Sequence, residues 1–154
     1  REISAHTGLV TLADDSGLEV DALGGAPGVR SARYGGLHLN DSGRIRLLLT
    51  EMERFGSVTR QARFVCVLAL AAPQTVHPRI FQGVCEGHIA LSPRGRRGFG
   101  YDPVFIPDGH VLTFGQLPDE VKSRLSHRAQ ALAALRKFLS PVCPLDLILS
   151  TPAV

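Results

Sequence analysis

The chain has 154 residues, 44% of them hydrophobic and 20% charged, with a formal net charge of +3. That composition suits one domain with its own buried core and excludes a disordered chain. The small positive excess suits a polyanionic ligand and falls short of the concentrated basic surface of a dedicated nucleic-acid binder, so no stable nucleic-acid partner is expected.

In chain order, Arg1-Glu2 opens a segment that reads as the end of a helix, without Met and without the features of a signal peptide, so residues are expected to precede it. Leu9 to Ala13 reads as a short buried strand that delivers Asp14-Asp15-Ser16-Gly17 at its tip as a flexible turn. Leu18, Val20 and Ala22 then alternate with Glu19 and Asp21 as in a half-buried strand, and residues 24–28 must be a turn or loop. Asp41 to Phe55 carries Ile45, Leu47, Leu48, Leu49 and Met52 among charges, an amphipathic helix capped by Asp41 or Ser42.

Ala62 to Ala71 and Arg79 to Ala90 read as strands joined by a hairpin loop over residues 73–78. Pro93 to Gly100 is a mobile or ligand-shaped loop, and Pro103 to Ile106 a short strand. Val121, Leu125, Ala129, Leu132, Leu135 and Leu139 recur as one face of a C-terminal helix. Alternatively, Ser126 caps a second helix and leaves His127 and Arg128 exposed in its first turn. Pro141 to Val154 is a Pro-rich tail outside the core.

Three widely spaced cysteines, Cys66, Cys85 and Cys143, form no CxxC pair. They argue against a disulfide framework or zinc site and favour a reducing, cytoplasmic setting. No apolar run reaches membrane-spanning length.

Two neighbouring carboxylates at a strand end, Asp14 and Asp15, offer hard oxygen ligands for Mg²⁺ beside substrate phosphates, although acidic pairs in turns are also simply solvated. Residues 93–102 mix Arg94, Arg96 and Arg97 with glycines and the aromatics Phe99 and Tyr101. Such a segment fits a nucleotide-binding loop, a surface basic loop or an RNA-binding segment. Lys122 and Ser126-His127-Arg128 place three cationic side chains within two helical turns.

Taken together and in order, residues 13–28 (Ala-Asp-Asp-Ser-Gly-Leu through Gly-Gly-Ala-Pro-Gly), Ser31-Ala32-Arg33-Tyr34, Gly98 to Phe105, and Ser126-His127-Arg128-Ala129 resemble the inosine triphosphate pyrophosphatase family, also called Ham1-like or XTP/dITP diphosphatases. The resemblance runs from Gly8 to about Leu139. It implies an elongated α/β fold with a mixed, curved sheet, flanking helices and a nucleotide cleft between two lobes, and it implies a homodimer. It also implies Mg²⁺-dependent hydrolysis of ITP, dITP or XTP to the monophosphate and pyrophosphate.

Carried over by position, Asp15 is the catalytic carboxylate and Mg²⁺ ligand with Asp14 beside it. Ser16 is a substrate contact, Phe99, Gly100, Tyr101 and Asp102 hold the base, Lys122 contacts substrate, and His127-Arg128 sit at the purine edge. Family members begin with a strand and a Gly/Asn/Lys loop that grips the triphosphate, so residues 1–140 are expected to form an N-terminally incomplete domain. The chain also has Val121-Lys122-Ser123 where the family carries Glu before the lysine. A Maf-like nucleotide pyrophosphatase and a catalytically silent nucleotide- or RNA-binding module are the competing readings.

Overall fold

The computed structural model describes residues 1–54, 56 and 59–140. Helix α1 (Glu2–Thr7), strands β1 (Thr11–Val20) and β2 (Pro27–Gly28), helix α2 (Asp41–Arg54), strands β3 (Gln61–Ala71), β4 (Arg79–Ile89) and β5 (Phe105–Pro107), and helices α3 (Asp119–Leu125) and α4 (His127–Leu139) follow one another. They give an α/β fold on a five-stranded sheet of order β2-β1-β3-β4-β5. The resemblance implied a mixed sheet, whereas every pairing among the described residues is antiparallel. Residues 72–78 between β3 and β4 can close a hairpin but are too few for the crossover that parallel strands require.

Period-2 patterning explains β3, in which Ala62, Phe64, Cys66, Leu68 and Leu70 are buried and the residues between them less so. Two separate cores form on that face. Ile45, Leu48 and Met52 of α2 pack over Leu18, Val20, Ala62 and Phe64, while Ala131 and Leu135 of α4 pack over Cys66, Leu68 and Leu70. The cleft lies between them.

Several expectations are corrected. No turn follows Ala13: β1 is continuous and pairs with β3 at every position from Thr11 to Val20. Asp14 and Asp15 therefore sit mid-strand, and Gly17 serves close approach, since a Cβ there would lie 2.3 Å from the Gly28 carbonyl oxygen. The cap of α2 is Asn40, whose Oδ1 accepts from the Gly43 N–H at 2.9 Å. The loop over residues 93–100 is pinned: Arg94 N–H donates to Pro103 O at 2.7 Å, and Arg97 N–H to Gly115 O at 3.0 Å. Phe55 and the tail from Pro141, with Cys143, lie outside the described residues.

The C-terminal helix breaks at Ser126, whose extended backbone ends α3 and whose Oγ accepts from Ala129 N–H at 3.2 Å to cap α4. The break rotates the buried face to His127, Ala131 and Leu135 and leaves Leu132 and Leu139 exposed. Gly83 of β4 permits this seating, because a Cβ there would meet the His127 carbonyl oxygen at 2.0 Å and the Ala131 nitrogen at 2.5 Å.

Candidate active site

The space between the two cores is a cavity of ≈ 440 Å³, within the usual range for small-molecule sites. Its floor is Ser16 to Leu18 with Phe64. One wall is the first turn of α2, with Asp41 and Arg44; the other is Lys122 and the start of α4 at Ser126 to Ala129. Residues 99–102 close one side.

Adjacent positions on a strand point to opposite faces, so β1 separates the two carboxylates that the sequence places together. Asp14 shares the cleft face with Ser16, and Arg128 bridges the pair: Nε donates to Asp14 Oδ2 at 2.7 Å, and Nη2 to Asp14 Oδ1 at 3.0 Å and to Ser16 Oγ at 3.2 Å. This charge-assisted fork holds the Asp14 carboxyl below the usual carboxylate range and raises the Arg128 guanidinium. Asp14, expected beside Asp15 as a metal ligand, thus has both oxygens engaged by Arg128. Asp15 is on the other face, exposed, with no side-chain hydrogen bond or ion pair among the described residues.

The Gly-rich segment divides in two. Phe99 is 65% exposed and lies under the Lys122 ammonium, which sits 4.6 Å from its ring centroid. Asp102 is buried, and its Oδ2 accepts from the Phe99 N–H at 2.7 Å and from Lys122 Nζ. Asp102 therefore positions Phe99 and Lys122 through Oδ2 while lining the cavity. Tyr101 is buried too; its hydroxyl donates to Ser31 O at 3.1 Å and is pushed up to about 12 by burial, so it stays a donor. Gly100 N–H donates to Asp41 Oδ2 at 2.9 Å, which ties this segment to α2.

His127, expected exposed, is 7% exposed because the α4 seating on Gly83 turns it inward, stacked on Phe64 at 4.8 Å between centroids. Burial first, then the neighbouring Arg128 and Lys122 cations, push its pKa down to about 4. The ring is neutral near pH 7, and its buried Nδ1 has no hydrogen-bond partner among the described residues.

Two cleft residues were missed by sequence reasoning, Asp41 and Arg44, one helical turn apart on α2 and joined at 3.1 Å. Their i,i+3 spacing was visible, but a charged pair in a first turn is normally a solvated one. Among the described residues no three His, Cys, Asp or Glu side chains converge as a metal cluster.

The chain is similar to several known proteins in sequence and in fold. A HAM1 protein from Coxiella burnetii superimposes with a TM-score of 0.86 at 45% identity, covering 89% of this chain and 70% of that one. The Staphylococcus aureus Ham1 protein gives 0.82 at 41% identity, covering 90% and 71%. A dITP/XTP pyrophosphatase of Shouchella clausii is 45% identical over 144 residues, 92% of this chain and 71% of that protein. One from Methylococcus capsulatus is 50% identical over 135 residues, 87% and 67%. With the Ham1 family model matching residues 1–138, the chain belongs to the Ham1 family.

Proposed function

We propose that this protein hydrolyses non-canonical purine nucleoside triphosphates (ITP, dITP and XTP) to the monophosphate and pyrophosphate. The observation that carries the reading is His127: a neutral imidazole at the cleft wall, fixed by Phe64 in a cleft that Phe99 flanks. Through a ring N–H at the cavity it donates to the 6-oxo group of hypoxanthine or xanthine, and adenine would present an amine, donor against donor. Phe99 stacks on the base irrespective of its edge. The dITP/XTP pyrophosphatase names of the relatives support the same reading.

The triphosphate leaves the cleft past Ser16 and crosses the stretch of β1 that has no outer strand partner among the described residues. On the far side Asp15 accepts a proton from the attacking water. One free carboxylate fits Mg²⁺, which keeps several waters and is commonly held by one or two carboxylates plus substrate phosphates. When bound, Mg²⁺ neutralises phosphate charge. Lys122, screened by Asp102, adds positive potential over the base side.

Two finer readings accompany this one. A cytoplasmic setting is supported by the buried free thiols Cys66 and Cys85, and a homodimer by the family likeness, to be checked by light scattering. The activity test is pyrophosphate release from ITP, XTP, dITP and ATP with and without Mg²⁺. Preference for the first three supports the proposal; equal turnover of ATP, or salt-dependent RNA binding without pyrophosphate release, refutes it.

A further inference from the structure

Reading only the 6-position leaves a chemical gap, because guanine carries the same 6-oxo group as hypoxanthine and xanthine. The three bases differ at position 2: a C–H in hypoxanthine, a carbonyl in xanthine and an amine in guanine. A cleft that rejects the ordinary nucleotide GTP needs a donor aimed at that position.

Arg44 has the required properties. Its side chain is 14% exposed and borders the cavity from the α2 wall, facing the α4 wall that carries His127 and Arg128. Guanidinium nitrogens only donate, so Arg44 can meet only an acceptor. Among the described residues its side-chain ion-pair partner is Asp41, through Nη1 at 3.1 Å. That aspartate is 55% exposed and is also held by the Gly100 N–H. The Asp41 contact thus fixes the direction of the guanidinium at the cavity wall. A guanidinium so held at the cavity wall offers its remaining N–H groups to a ligand that brings an acceptor.

Resting on the purine reading of this cleft, we propose that Arg44 is a specificity-determining residue that reads purine position 2: it donates to the 2-oxo group of xanthine and opposes the 2-amino group of guanine. The exocyclic groups at positions 2 and 6 diverge around the ring, and in the proposed pose the 6-oxo group meets His127 on the α4 wall while the 2-substituent turns toward Arg44 on α2. Arg44 then separates XTP from GTP, while ITP, with only C–H at position 2, is the internal reference.

The test compares kcat/KM for XTP, ITP and GTP between the unmodified chain and Arg44→Met, which keeps the apolar stem, and Arg44→Lys, which keeps the charge without the planar fork. Binding of XMP, IMP and GMP is measured in parallel by calorimetry. The XTP/GTP and XMP/GMP ratios should fall at least about tenfold in Arg44→Met, the discrimination expected of one well-placed hydrogen-bonding pair, and partly recover in Arg44→Lys. Unchanged ratios in folded variants that still prefer ITP to ATP overturn the role of Arg44 and leave the proposed activity standing. Arg44-dependent XMP binding without hydrolysis of any triphosphate does the reverse.

Discussion

Arg128 reaches from the first turn of α4 to grip both oxygens of Asp14 in the middle of β1, with Nε and Nη2 at 2.7 and 3.0 Å. The pair is about one-third exposed on each side, so it contributes about 1 kcal/mol or less to stability. Its importance is orientation. Asp14→Asn should leave the melting temperature nearly unchanged yet lower the ITP/ATP preference, because Arg128 loses its anchor beside His127. Arg128→Ala should erode the same ratio by about tenfold or more. Steady-state kinetics on both nucleotides checks this, and two variants with the parental ratio would remove the pair from base selection.

The depressed Asp14 pKa also fixes a sign. Its ordinary value is 3.8 and the folded value is lower, so the small contribution to stability is complete above about pH 5 and is lost as pH falls through the folded value. Urea midpoints of the parent and Asp14→Asn should therefore converge in acid.

His127 gives a larger effect in a different window. Its folded pKa of about 4 lies below the ordinary 6.5, so between those values the unfolded chain binds the proton and the folded chain does not. Stability must rise with pH across that interval and level off above it, by on the order of 3 kcal/mol in total. His127→Gln cannot titrate and should flatten that part of the curve. Chemical denaturation at pH 5 and pH 7 measures the slope; a parent protein as stable at pH 5 as at pH 7 contradicts a buried neutral imidazole.

Asp15→Asn should abolish pyrophosphate release by about 10²–10⁴-fold, the usual worth of a general base, with the fold intact, since the exposed Asp15 side chain holds no partner among the described residues. Thermal unfolding and pyrophosphate release are read on the same preparation. Undiminished turnover would assign the proton transfer elsewhere.

Gly83→Ala tests whether the seating of α4 governs the site. The added methyl would meet the α4 backbone at His127 and Ala131. The helix must lift, at a cost of about 1–3 kcal/mol, and the His127–Phe64 stack should loosen. A raised KM for ITP with a lowered melting temperature is expected; a destabilised protein with parental KM would separate packing from recognition.

Much of this was legible in the sequence. The apolar alternation of β3 and the cap at Ser126 gave the framework, and the four ordered blocks gave the family. Other features were not, for physical reasons. Adjacent Asp14 and Asp15 read as one acidic unit, and only the unbroken ladder to β3 reveals that they face apart. The periodicity of residues 121–139 pointed to Leu132 and Leu139 as core, because a helix pattern does not show where a one-residue break rotates the face. That Asp102 also holds Phe99 and Lys122 in place depends on a contact between residues 102 and 122 that sequence order does not show. Arg44 carried no signal because an arginine in a first helical turn is ordinarily wet.

The alternation of β1 also limits how this segment can change. Sliding or lengthening β1 by a single residue would exchange the two carboxylates, bringing Asp15 under Arg128 and sending Asp14 to the outer face. Point substitutions at either position remove one task, whereas a one-residue insertion between Thr11 and Asp14 would scramble both at once. Among diverging copies of this chain, β1 should therefore accumulate replacements but hold its length, with gaps confined to the loops on either side.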